Sequence, residues 1–167
     1  YEVDILNAGI GNYNTERYVE NFLTNLYQTE PDDIVIHYFL NDIEILNHNS
    51  GNIFTRNFHI GVAIWKTYNQ LFGNINQIKL EEYYKDLYQD NSESFLRMKM
   101  ALKKLVSYSN QNNINLYLSI TPDIHNLEEY PFVDIHRKME LISKEFNIPF
   151  IDYIDSFQRI PTKNLWN

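Results

Sequence analysis

Short apolar runs and longer amphipathic stretches take turns along the chain, and their different periods separate strands from helices. Val3-Asp4-Ile5-Leu6, followed by the turn formers Asn7, Gly9 and Gly11, predicts a buried strand emptying into a loop. From Thr15, read as an N-cap, Tyr18, Val19, Phe22, Leu23 and Leu26 recur at helical spacing up to Pro31. The run from Asp33 to Leu40 is almost continuously β-branched or aromatic, which predicts a parallel strand covered on both faces, with His37 as a hydrogen-bonded core residue. Residues 43–90 carry Asn and Gly punctuation with weaker helical signals at 62–71 and 80–87, and read as a partly helical insertion.

Downstream the periods are sharper. Asp90-x-x-Glu93 reads as a capping box for a helix that keeps Phe95, Met98, Leu102, Leu105 and Val106 on one face. Asn115 to Ile120 is a further strand, stopped at Thr121-Pro122. Pro131 can open a helix in which Ile135, Met139, Ile142 and Phe146 share a face, and Asn147 can end it. Ile148 to Asp152 is the last strand. Strands alternating with helices imply right-handed crossovers and an α/β fold, a three-layer α/β/α arrangement around a mostly parallel sheet. Ligands of such sheets bind beyond the carboxyl ends of the strands. The segments placed there are 9–15, 41–44 and 121–130.

Composition sharpens this picture. The 167 residues, 44% hydrophobic and 15% aromatic, suit a single domain with one core. A net charge of −8 opposes binding to nucleic acid, and no uninterrupted apolar stretch is long enough for a membrane helix. With no Cys, a thiolate metal site and a Cys nucleophile are excluded. His48 and His59 have no second ligand at metal spacing, so no metal or other cofactor is expected. Gly9-Ile10-Gly11 is not a dinucleotide fingerprint, because position 14 is Asn, and there is no phosphate loop.

The rim segments carry donors. A Gly-containing turn can present backbone N–H groups, and Asn41 an amide NH2 without a charge, to the oxyanion that develops in acyl transfer. Asp42 reads as a structural acceptor for loop N–H groups. Asn7, Gly9, Gly11 and Asn14 alone would also suit any tight strand-to-helix turn.

Asn7-Ala8-Gly9-Ile10-Gly11-Asn12-Tyr13-Asn14-Thr15 resembles the second block of SGNH/GDSL ester hydrolases, and Leu40-Asn41-Asp42 resembles their third, G-x-N-D, with Phe39 in place of its Gly. The resemblance continues through Thr121 to Leu127, Tyr130-Pro131-Phe132 and Ile148 to Asp152. It implies a flavodoxin-like SGNH fold, an acyl or O-acetyl esterase, and an oxyanion hole made by Asn41 and by the backbone of Gly11 or Asn12. A small acyl ester or acylated carbohydrate is the partner it implies. The family's Ser block would lie before Tyr1 and its Asp-x-x-His block after Asn167. Both ends read as interruptions, so the 167 residues are expected to be the central part of a longer protein and inactive alone.

Three other readings share these residues: an O-acyltransferase on the same fold, a non-catalytic binding or scaffold domain, and a flavodoxin-like nucleotide or receiver domain. His125, on a rim loop, is expected to shape the substrate pocket. His136 is expected on the exposed side of its helix. Tyr83, Tyr84 and Tyr88 are expected to pack on the core or surface, and the Glu81-Glu82 and Glu128-Glu129 pairs to be solvated.

Overall fold

The computed structural model describes residues 3–45 and 80–160. The elements in chain order are α1 (Thr15–Asn21), β1 (Asp33–Tyr38), α2 (80–87), α3 (Glu93–Asn112), β2 (Asn115–Ile120), α4 (Val133–Phe146), β3 (Phe150–Asp152) and α5 (Ile154–Gln158). The strands form a parallel sheet in the order β1-β2-β3, so the α/β class with helices around a parallel sheet is as the alternating periods require. Residues 46–79, which hold most of the expected insertion, including its helical signal at 62–71, lie outside the described residues; the signal at 80–87 is a helix.

Ile34, Ile36 and Tyr38 lie opposite Leu116, Leu118 and Ile120, and this face of the β1-β2 pair carries the core. α3 and α4 pack on each other and both on β2. Consecutive strand order with right-handed crossovers puts both helices on one side. α3 supplies Phe95, Met98, Leu102, Leu105 and Val106 to the core, and α4 supplies Ile135, Met139 and Ile142, the positions that helical spacing selects. Burying side chains of this size contributes about 1.5 to 3 kcal/mol each.

The structure corrects several expectations. Val3, Ile5 and Leu6 are exposed and form no strand, because a strand exists only through ladder pairing and they have no pairing partner among the described residues. β1 is not covered on both faces: Val35 is 62% exposed and His37 is exposed, because their side chains leave the face opposite the core. The N-cap of α1 is Asn14, not Thr15, and the N-cap of α3 is Ser92, whose hydroxyl accepts from the Phe95 N–H, in place of an Asp90-Glu93 box. His136 is only 3% exposed.

Asn147 does end α4, in the left-handed conformation at φ 53°, as Asn113 ends α3 at φ 56°. α1 continues through a π-helical turn at Phe22–Leu26 and a 3-10 turn at Tyr27–Thr29. No described helix is long and apolar enough to cross a membrane.

Candidate functional site

The chain leaves β1 through a 3-10 turn at Leu40–Ile43. Asp42 fixes its geometry from both directions, its N–H donating to the Phe39 carbonyl at 3.0 Å and its Oδ2 accepting the Phe39 N–H at 3.0 Å. The expected role of Asp42 as a structural acceptor is what the turn uses. Burial raises the Asp42 carboxyl to about 7, against the lowering effect of the Phe39 N–H and with a further push from Glu44. A carboxyl taking one backbone donor in a mostly dry site loses more hydration than that bond returns.

Preceding α1, Ile10 to Tyr13 form a turn closed by the Tyr13 N–H on the Ile10 carbonyl at 3.2 Å, with Asn12 at φ 64°. Asn tolerates this left-handed position better than other side-chain-bearing residues, which explains Asn at the third place of the turn. Gly9 N–H is taken by Asn7 Oδ1 at 3.0 Å. The N–H groups of Gly11 and Asn12 have no intramolecular acceptor among the described residues, and both residues are exposed.

Two side chains dock this turn on the 40–44 segment. Asn14 is 5% exposed: its Oδ1 caps α1 through the Arg17 N–H at 3.0 Å, and its Nδ2 donates to the Glu44 carbonyl at 2.7 Å. Thr15 Oγ1 donates to the Asp42 carbonyl at 2.8 Å and accepts from the Tyr18 hydroxyl at 3.3 Å. The segment is held from the other side by tyrosines. Tyr84 donates to Glu44 Oε1 at 3.1 Å, and Tyr88 donates to the Leu40 carbonyl at 3.0 Å. With its proton so committed, Tyr88 accepts from the Tyr38 hydroxyl at 2.7 Å. Tyr84 and Tyr88 are therefore core residues that brace the rim, while Tyr83 is 46% exposed.

Asn41 sits at the outer corner of the braced turn. It is exposed, and its amide has no hydrogen-bond partner among the described residues. The structure thus brings together the two segments that hold Asn41, Asn12 and Gly11. The His125 side chain lies outside the described residues; its backbone is in the 3-10 turn Ile124–Asn126 of the 121–130 loop. No group of three His, Cys, Asp or Glu among the described residues could hold a metal ion.

The same rim has a polar chain that sequence reasoning missed. His136 Nδ1 meets Asp152 Oδ1 at 2.8 Å and His136 Nε2 meets the Tyr130 hydroxyl at 2.8 Å, while the Tyr130 oxygen accepts the Asp123 N–H at 3.3 Å. Asp152 Oδ1 also takes the Ile154 N–H at 2.9 Å. Burial lowers the His136 imidazole, against the raising effect of Asp152. His136 lies three residues before Met139 and seven before Ser143, both buried, so helical spacing already contained the signal.

Comparisons with protein-family models, with curated proteins and with solved structures find no match for this chain.

Proposed function

We propose that this chain forms the oxyanion side of a serine ester hydrolase of the kind that the SGNH/GDSL resemblance implies. The observation that carries the reading is the pair of bonds from Asn14 to Glu44 and from Thr15 to Asp42, which dock the Gly11-Asn12 turn on the Asn41 turn. Those turns contribute two backbone N–H groups and one amide, all without internal partners among the described residues. A set of uncharged donors on turns held by part-buried bonds suits a developing oxyanion, because the donors are oriented before charge appears and need no reorganisation. Tyr84 and Tyr88 stiffen the Asn41 turn from beneath, and Asp42 fixes its backbone.

In this reading a Ser attacks the acyl carbon and a His takes its proton, both from the blocks that the resemblance places before Tyr1 and after Asn167. The substrate class is a small O-acyl ester, on a carbohydrate or another neutral alcohol, in keeping with the net charge of −8.

The test is hydrolysis of an activated acetyl ester by the protein with its flanking sequence. Asn41→Ala is expected to lower kcat by about 10²-fold or more, the effect of removing one oxyanion donor. Its melting temperature should not change, since the amide makes no bond. Unchanged turnover, or flanks without a Ser and a His, would remove the proposal.

A further inference from the structure

A second group of hydroxyl and imidazole side chains stands at the carboxyl end of the β1-β2 pair, unused by the reading above and independent of it. The register sets His37 opposite Ser119, so both side chains leave the sheet on the face away from the core. Thr121, one residue past β2, is fixed there by its N–H on the Tyr38 carbonyl at 3.2 Å.

The proton positions follow from the far end of the chain of bonds. The Ile36 carbonyl can only accept, so the Ser119 hydroxyl donates to it, at 3.1 Å. Ser119 has no second proton and must accept from His37, whose Nδ1 lies 3.1 Å from Oγ and so carries the hydrogen. In neutral His37 the lone pair is then on Nε2, and it takes the proton of Thr121 Oγ1 at 2.8 Å. The hydroxyl of Thr121 therefore points its proton at an imidazole base in the correct tautomer, the relation between nucleophile and base found in activated serine and threonine sites. Ser119 is fully buried and holds the tautomer, whereas His37 is exposed and Thr121 half-buried, so a reactant can reach the pair.

Apolar surface adjoins it on the same face. Val35, two residues before His37, is 62% exposed, and Ile151, opposite Ser119 in β3, is 42% exposed.

We propose that Thr121 is a covalent acyl-acceptor site, taking short aliphatic acyl groups from activated carboxylic esters with His37 as its general base. Thr121 Oγ1 bonds to the acyl carbon as the bond from that carbon to the leaving alcohol oxygen breaks. The Thr121 proton passes to His37 Nε2 and from there to the departing alkoxide. The products are a threonyl ester and the free alcohol.

The experiment treats the purified chain with p-nitrophenyl butyrate and maps butyryl groups by peptide mass spectrometry against time. Thr24 and Thr29 are internal controls, since their hydroxyls donate to the Glu20 and Leu26 carbonyls and face no base. Thr121 should acylate about 10²-fold faster than either, within the contribution of a positioned general base. Thr121→Ser should keep the modification at that position, Thr121→Val should lose it, and His37→Gln should slow it to the rate of the controls. Labelling of Thr121 no faster than Thr24 or Thr29 in the unmodified protein would overturn the proposal, whatever the variants do. So would an undiminished rate in a His37→Gln protein that folds normally by circular dichroism.

Discussion

Asn14 joins local structure to the site, and its replacement separates two jobs done by one amide. In Asn14→Ala the Arg17 N–H loses its cap and the Glu44 carbonyl loses its donor. Loss of an Asn cap costs about 1 kcal/mol, and an orphaned acceptor in a part-buried site about 1 to 3 kcal/mol more, so the total is about 2 to 4 kcal/mol. For a chain of this size each kcal/mol moves the melting temperature by about 2 to 4 °C. Asn14→Asp isolates the second job: a carboxylate still accepts from Arg17 and suits a helix N-terminus, but it offers no proton to Glu44 and sets an anion against that carbonyl. Urea unfolding should therefore show Asn14→Asp clearly less stable than wild type although its cap on Arg17 is kept. In the ester assay Asn14→Asp should lose turnover, because the Gly11-Asn12 turn is no longer tied to the Asn41 turn through this bond. An Asn14→Asp protein within about 0.5 kcal/mol of wild type, the ordinary range for surface changes, would refute the docking argument.

Two further outcomes follow from buried ionisable groups. The Asp42 carboxyl, raised by burial, holds a proton in the folded state at pH values where the unfolded chain has released it, so stability should fall as pH rises from about 4 to about 7. Asp42→Asn keeps an acceptor for the Phe39 N–H and should remove that decline, melting higher than wild type at pH 8 but not at pH 4; equal melting at both would deny the burial effect. The lowered His136 imidazole acts in the opposite sense, since the unfolded chain gains its proton first, so its contribution falls as pH drops below the ordinary imidazole range. His136→Leu leaves the Tyr130 hydroxyl and Asp152 Oδ1 each short of a partner and should cost about 2 to 4 kcal/mol in denaturant at pH 7. A loss below about 0.5 kcal/mol, the range for surface substitutions, would mean that the chain of bonds is not a brace.

Helical elements were legible in the sequence because their information is local. The spacing of Phe95, Met98, Leu102, Leu105 and Val106, or of Ile135, Met139 and Ile142, depends only on the 3.6-residue turn, and the same spacing applied to His136 would have placed it inside. Asn147 ends α4 because few side chains tolerate its left-handed conformation, also a local fact. Strands were less legible. Val3 to Leu6 has the composition of a strand, but a strand is a relation between segments and these residues have no ladder partner among the described ones. Apolar neighbours in sequence make His37 look like a core residue, whereas the two-residue period sends it to the face opposite Ile36 and Tyr38.

Periodicity and turn chemistry act over a few residues, and they were enough to give the α/β class, the helices that pack on the core and the place of Asn41 just past a strand end. Tertiary structure alone decided that Asn14 and Thr15 reach Glu44 and Asp42, that two tyrosines brace the Asn41 turn, and that His37 stands between Ser119 and Thr121. Those pairings join residues about 30 to 80 positions apart in the chain. Hydrogen bonds at that separation depend on the register and packing of whole elements, which no local pattern encodes.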